Sequence, residues 1–227
     1  MTMRDPYARI AEELSPCARK QRLSLYVAMG DSFTAGTGSP EGQAWPDRLA
    51  AGIRVENPGF ELRNLAVGGA TSDEVLEQLP EAIELEPDLV TVVCGANDAL
   101  LSTRPDPERY AANFEAILEG LRVAVPGVRI VTATSPERLE FMPLGPRTRD
   151  RVEHGIADVN ERTRRIAARN GVPCLEVVGH SGLSEPENFC ADGLHPSALG
   201  HEHAAHGFAA FIAEAYGIEI SEEEEIE

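Results

Sequence analysis

Short apolar runs alternate along the chain with longer amphipathic stretches. Five runs have the length and composition of strands and cover residues 23–29, 60–67, 88–94, 128–133 and 173–178. The run at 88–94 is almost continuously apolar and β-branched, which is typical of a strand buried on both faces of a parallel sheet. Because helical stretches separate these runs, the pattern predicts an α/β domain with a five-stranded parallel sheet.

The helical stretches cover residues 45–53, 71–85, 107–125, 147–170 and 197–216. Ser72 is the predicted N-cap of the second, and Pro80 is expected to kink or interrupt it. Asp106 and Pro107 mark the start of the third, and Gly171 is the predicted C-cap of the fourth. One domain is predicted at residues 23–217, after an N-terminal extension at 1–22 and before an acidic tail at 218–227 that is predicted to be disordered.

Composition and charge exclude several classes of partner. Of the 227 residues, 42% are hydrophobic and 26% are charged, which suits a globular domain with a sizeable core. The formal net charge of −18 opposes binding to phosphate backbones, so we expect no nucleic-acid partner. No apolar run reaches the roughly 18–20 residues that span a bilayer, so we expect no stable membrane anchor. The oligomeric state is left open by these patterns.

The amino-terminal stretch lacks the apolar segment of a secretory signal, and the cysteines at positions 17, 94, 174 and 190 contain no C-x-x-C pair. We therefore expect reduced thiols and a cytoplasmic location. The histidines of the segment His201–His206 could suggest a metal site, but their spacing is not H-E-x-x-H and no further ligand is indicated. We expect them to pack or face solvent, and we predict no metal.

Polar residues follow four of the predicted strands, where a parallel sheet collects its ligand. They lie at residues 30–33, 68–71 and 95–98, and some way after the fifth strand at 192–196. Each segment alone is typical of a turn or a helix cap. Together they supply a hydroxyl, an imidazole, a carboxylate, flexible backbone donors and a side-chain amide, which are the groups that acyl transfer requires.

Each of these groups has a candidate role. Ser32 is a candidate nucleophile, and it needs a base such as His195 to remove its proton. Asp192 precedes His195 by three residues, so a tight turn could bring its carboxylate to Nδ1 and fix the tautomer. The N–H groups of Ser32 and Gly69 and the side-chain amide of Asn97 could stabilise an oxyanion.

The four segments, in this order, resemble those of the SGNH hydrolase family, the GDSL-type esterases and lipases, over about residues 25–210. The resemblance implies a three-layer α/β/α sandwich similar to flavodoxin, with no metal or organic cofactor. It implies Ser32 as nucleophile, His195 as base and Asp192 as its orienting carboxylate. It further implies an oxyanion hole made by Ser32, Gly69 and Asn97.

The sequence departs from the family pattern at one position and leaves a choice of glycine at another. Phe33 stands where the family name has leucine, at a position that we expect to pack. Gly69 is preferred to its neighbour Gly68 because it precedes Ala-Thr. An α/β-hydrolase is disfavoured, since no G-x-S-x-G elbow is present and Leu183 replaces the second glycine of the nearest match.

The sequence favours a serine ester hydrolase that acts on small or medium acyl esters, with a small-molecule ester as its partner. The same residues would serve an acyltransferase, and the intact set argues against a non-catalytic binding domain of the same fold.

After the fourth strand, a Pro- and Gly-rich stretch includes Phe141 and Met142. We expect this stretch to form part of an acyl or leaving-group wall, or alternatively to pack onto the core.

Overall fold

A computed structural model describes residues 23–221 of the chain. Its centre is a parallel sheet of five strands: β1 (Leu25–Gly30), β2 (Glu61–Asn64), β3 (Leu89–Val93), β4 (Arg129–Ala133) and β5 (Cys174–Leu175). The strand order is β2-β1-β3-β4-β5. In this register Val27 pairs with Val90, which in turn pairs with Ile130. The topology is doubly wound, and its switch point lies between β1 and β3.

Helices connect the strands. They are α1 (Ser32–Ala35), α2 (Trp45–Glu56), α3 (Ser72–Glu77), α4 (Leu79–Glu84), α5 (Ala96–Leu100), α6 (Pro107–Ala124), α7 (Pro146–Asn170) and α8 (Ala198–Tyr216). Two 3₁₀ turns, Ser181–Ser184 and Pro186–Asn188, precede α8. Asp106 caps α6 by accepting a hydrogen bond from the N–H of Arg109, and Gly171 closes α7 at a φ of 64°.

The helices form one layer on each face of the sheet. Because side chains alternate along a strand, Val27 and Met29 of β1 face one layer, while Tyr26 and Ala28 face the other. The first layer contains α3, α4, α6 and α7, and the second contains α2 and α8. The predicted α/β/α sandwich with a five-stranded parallel sheet is thus confirmed.

Element boundaries differ from the predictions at several places. β2 ends at Asn64 and not at residue 67, and α2 runs to Glu56 and not to residue 53. The largest differences concern β5 and the helix predicted at 71–85. The fifth strand ends at Leu175, because the N–H of Val177 donates to the side chain of Thr134 and not to the neighbouring main chain. The helix predicted at 71–85 is two helices, and Pro80 lies in the first turn of α4, where its missing N–H costs nothing. Its N-cap is Thr71, not Ser72.

The predicted domain at residues 23–217 lies wholly within the described residues, whereas the segments predicted on either side of it are described only in part. The extension at 1–22 and residues 222–227 lie outside the described residues. The tail predicted from residue 218 begins with an ordered piece: Ile218 is buried, and the N–H of Ser221 donates to the carbonyl of Gly52 in α2. The folded region therefore extends at least to Ser221.

Candidate active site

Ser32 lies at the carboxyl end of β1, next to the switch point of the sheet. Gly30 leaves no room for a side chain, since a Cβ there would lie 2.4 Å from the carbonyl oxygen of Val93. The buried amide of Gln78 binds Gly30 twice, accepting from its N–H at 3.0 Å and donating to its carbonyl at 2.9 Å. Asp31 then caps α1 by accepting from the N–H of Phe33. These contacts fix the turn that presents Ser32.

A stack of aromatic rings packs beside the turn that presents Ser32. The ring of Phe33 is stacked with that of Trp45, at 5.6 Å between centroids, and with that of His201, at 6.1 Å. The indole N–H of Trp45 donates to the carbonyl of Phe33. The main-chain N–H of Trp45 donates to Nδ1 of His201. Nε2 of His201 therefore carries the proton and donates to the carbonyl of Thr37 at 3.1 Å. Burial lowers the pKa of His201, which keeps this ring neutral.

The predicted nucleophile, base and carboxylate lie in one hydrogen-bonded line. Nε2 of His195 is 2.9 Å from Oγ of Ser32, and Nδ1 of His195 is 2.6 Å from Oδ2 of Asp192. The other carboxylate oxygen of Asp192 accepts from the N–H groups of Leu194 and His195. Partial burial acts to raise the pKa of Asp192, but the hydrogen bond from the His195 ring and these two N–H groups outweigh it and lower the pKa. The carboxylate is thus held ionised against the imidazole.

The predicted oxyanion donors follow the carboxyl ends of three strands that are neighbours in the sheet, β1, β2 and β3, and Ser32 and Asn97 line one cavity whereas Gly69 is not part of its lining. Asn97 lies in α5 with 8% of its surface exposed, and its Nδ2 donates one hydrogen bond to the carbonyl of Ala70 at 3.0 Å. An amide nitrogen carries two N–H donors, so one is used to fix the side chain and a second can serve a ligand. Gly69 has a φ of 81°, and a Cβ built there meets no atom within 4 Å, so its backbone faces open space. Gly68 has no such left-handed backbone.

Two residues that support the site were not predicted from the sequence. In the sequence, Gln78 stands out only as part of a helical pattern, and Asp98 only as the neighbour of Asn97. Asp98 accepts hydrogen bonds from both the N–H and the hydroxyl of Ser72. Gln78 lies between α3 and α4 and binds Gly30 across 48 positions, so no local pattern indicates its role, whereas the position of Asp98 directly after Asn97 does suggest one.

A cavity of about 220 Å³ opens onto Ser32, Asn97 and His195. Part of its lining is apolar and is contributed by Leu100, Leu139, Phe141, Ile156 and Leu194. Met142 is not part of the cavity lining, and it packs instead against the cluster that contains Val152 and Ile156. A larger polar depression of about 590 Å³ lies along α2 and includes none of the predicted site residues.

The remaining histidines show no arrangement for a metal. His203 lines the cavity. Nδ1 of His180 accepts from the N–H of Gly182 in a 3₁₀ turn, so the segment nearest to a G-x-S-x-G motif does not form a nucleophile elbow. Among residues 23–221, no three His, Cys, Asp or Glu side chains are grouped so that they could hold a metal ion. Within the same range, no helix is both long and apolar enough to cross a membrane.

Comparison with known proteins identifies the family. Residues 28–203 match the model of the GDSL-like Lipase/Acylhydrolase family. The chain is 23% identical to an arylesterase of Vibrio mimicus, over 79% of this chain and 83% of that protein. It is 27% identical to a GDSL lipase of Mycobacterium tuberculosis, over 87% of this chain and 85% of that protein. A lipase/acylhydrolase structure from Enterococcus faecalis has the same fold, with a TM-score of 0.68 and 21% identity, covering 89% of this chain and 100% of that one. The chain therefore belongs to the GDSL-like lipase/acylhydrolase family and is an ester hydrolase of that family.

Proposed function

We propose that this protein is a serine ester hydrolase that forms an acyl-enzyme on Ser32 and acts on small or medium acyl esters. The observation that carries the proposal is the line of hydrogen bonds from Oγ of Ser32 through the ring of His195 to Asp192, with lengths of 2.9 and 2.6 Å. A serine hydroxyl is a weak nucleophile on its own, and this arrangement supplies the base and the group that orients it.

Acylation begins when Oγ of Ser32 attacks the ester carbonyl and Nε2 of His195 takes its proton. The imidazolium that forms is stabilised by the ionised carboxylate of Asp192. The carbonyl oxygen becomes an oxyanion, and the N–H groups of Ser32 and Gly69 and the amide of Asn97 are its proposed donors. As the tetrahedral intermediate collapses, His195 returns the proton to the leaving alcohol, and the acyl group stays on Ser32.

Deacylation uses the same groups in the opposite direction. Water replaces the alcohol, His195 removes its proton, and the hydroxide attacks the acyl-enzyme carbonyl. The second intermediate releases the carboxylic acid when His195 protonates Oγ of Ser32. Because every proton passes through His195, each full turnover leaves the ring in its starting state.

The cavity suggests what kind of ester fits. Its apolar lining favours an aliphatic or aromatic group of modest size beside Ser32. The net charge of −18 disfavours substrates held on anionic lipid surfaces, so we favour an ester in solution. The free thiols of Cys94, Cys174 and Cys190 suit the reducing cytoplasm, which we propose as the location.

The test is hydrolysis of p-nitrophenyl esters of graded chain length by the wild-type protein and by Ser32→Ala. The proposal expects the wild type to hydrolyse short and medium esters, and it expects Ser32→Ala to fold and to lose this activity. Equal hydrolysis by both proteins would refute the role of Ser32. Product analysis with an added alcohol distinguishes the alternative, since an acyltransferase would yield a new ester at the expense of the acid.

A further inference from the structure

The loop after β4 touches the loop that carries the base. We call residues 136–145 the wall loop and residues 190–196 the acid–base loop. A Cβ built on Gly193 would lie 2.1 Å from the carbonyl oxygen of Phe141 and 2.8 Å from the amide nitrogen of Met142. The two main chains therefore pack against each other with no side chain between them. Since Gly193 lies between Asp192 and His195, a shift of the wall loop is transmitted to the base.

The acid–base loop is tied internally, so it moves as a unit. The N–H of Cys190 donates to the carbonyl of His195 at 2.8 Å, and the N–H of Gly193 donates to the carbonyl of Cys190 at 2.9 Å. Asp192 accepts from two N–H groups of the same loop. Pressure at Gly193 therefore displaces the Asp192–His195 pair as a whole and changes its distance from Ser32.

On its other side, the wall loop is held by two charged residues of α7. The guanidinium of Arg149 donates to the carbonyl of Leu139 and, at 2.8 Å, to that of Met142. Oε1 of Glu153 accepts from the N–H of Leu139 at 3.0 Å. Arg149 and Glu153 are four positions apart and so share one helix face. Only a planar guanidinium presents donors in a fixed fork that holds two carbonyls at once.

We propose that Arg149 is a positioning residue that sets the place of His195 through the wall loop, and this inference rests on the proposed function. The path runs from the guanidinium to the carbonyls of Leu139 and Met142, then across the backbone contact at Gly193 to the base. It also passes the ring of Phe141, which lines the cavity and lies 5.2 Å from that of Phe189, just before the acid–base loop. One arginine outside the cavity lining therefore holds both the cavity wall and the base.

The first test compares Arg149→Gln with Arg165→Gln. Arg165 lies on the same helix, is exposed and pairs with Glu161 at 3.8 Å, so it is a matched control. A misplacement of about 1 Å in a catalytic group can cost about 10²-fold in rate. We expect Arg149→Gln to lower kcat by about 10- to 100-fold for esters of every chain length, and Arg165→Gln to leave kcat unchanged.

Three readouts separate positioning from general destabilisation. The pH profile of kcat/KM should move in Arg149→Gln and not in Arg165→Gln, because the environment of His195 changes. Millimolar guanidinium ion should restore part of the activity of Arg149→Ala, whereas urea at the same concentration should not. Arg149→Lys keeps the charge but replaces the fixed planar fork by a compact ammonium on a flexible stem, so it should hold the two carbonyls less firmly and have an intermediate kcat.

Wild-type kcat and pH profile in folded Arg149→Gln would overturn the inference. If that variant does not fold, Arg149→Lys decides, since an unchanged kcat there would equally refute it. Failure of the proposed function differs from this, because the wild type would then not hydrolyse esters at all. In that case the ring resonances of His195, followed by NMR, still decide: they shift in Arg149→Gln and not in Arg165→Gln if the inference holds, and stay unchanged in both if it does not.

Discussion

Asp98 and Ser72 hold the two sides of the proposed oxyanion hole together. One oxygen of the Asp98 carboxylate accepts from the N–H of Ser72 at 2.9 Å, and the other accepts from its hydroxyl at 2.5 Å. Asp98 follows Asn97 in α5, and Ser72 begins α3, directly after the turn that contains Gly69. The pair therefore fixes the distance between the amide of Asn97 and the backbone of that turn.

Replacing Asp98 by Asn tests this role. An amide has only one accepting oxygen, and its NH2 group donates, so Asn cannot reproduce two hydrogen bonds that are accepted by two separate carboxylate oxygens. We expect kcat to fall by about tenfold and the free energy of unfolding to fall by about 1–2 kcal/mol. Asp106→Asn, at the remote N-cap of α6, is the control and should leave kcat unchanged. Wild-type kcat in Asp98→Asn would contradict the proposed link.

Asn97→Ala addresses the oxyanion donor itself. Loss of one such donor costs about 10²–10³ in turnover in other serine hydrolases, because the interaction is formed in the transition state. We therefore expect kcat to fall by this factor with little change in KM. Steady-state kinetics on one short ester measure this fall in kcat. Asn170→Ala, at the end of α7, is the control. A KM effect with normal kcat would instead place Asn97 in ground-state binding.

The buried carboxyl of Asp31 predicts a pH-dependent stability. Burial raises its pKa to about 6 from the ordinary 3.8, against the opposing effects of the Phe33 N–H and of His195. Because the folded state binds this proton more tightly, ionisation costs stability: the cost is small below pH 4, grows between pH 4 and 6, and is complete above pH 6. A shift of about two pKa units corresponds to about 3 kcal/mol.

Asp31→Asn removes this cost and keeps an oxygen that can accept from the N–H of Phe33. We expect the variant to gain about 2–3 kcal/mol in the free energy of unfolding at pH 8 and much less at pH 4. Urea unfolding of both proteins at the two pH values measures the difference. An equal gain at pH 4 and pH 8 would show that ionisation of Asp31 is not its source.

Phe141 is predicted to influence the choice of ester. Its ring lines the cavity, so Phe141→Ser should enlarge the cavity and shift the preferred chain length of the substrate. Met142→Ser is the matched control, since the side chain of Met142 is outside the cavity lining and its loss should leave the preferred chain length unchanged. The test is to measure kcat/KM over a series of acyl chain lengths for the wild type and for both variants. The same preference in wild type and Phe141→Ser would remove Phe141 from the substrate wall.

Local patterns predicted the sheet, its helices and the four segments at the strand ends. The strand at 88–94 was visible because both its faces are buried, the start of α6 was visible from Asp106, and the end of α7 was visible from Gly171. All of these signals lie within a few residues of the feature that they predict. The proximity of Ser32 and Asn97 was predictable because they closely follow β1 and β3, whereas His195 lies well beyond the end of β5 and its place beside Ser32 was implied by the resemblance of its segment.

The supporting contacts could not be predicted in this way, because their partners are far apart in sequence. Gln78 binds the backbone of Gly30 across 48 positions, and His201 binds the carbonyl of Thr37 across 164. The hydrogen bonds of Arg149 to the wall loop are closer in sequence, but they depend on a loop with no periodic pattern. The early end of β5 likewise depends on the side chain of Thr134, which no pattern within residues 173–178 indicates.

The most direct measurement of the central claim is covalent labelling by a serine-reactive phosphonate, followed by peptide mass spectrometry. Nε2 of His195 lies 2.9 Å from Oγ of Ser32, so that hydroxyl should react far faster than any other in the chain. We predict one phosphonyl group per chain, on the peptide that contains Ser32, together with loss of ester hydrolysis, and slow labelling of His195→Ala. Labelling at another residue, or rapid labelling of Ser32 without its histidine, would contradict the account.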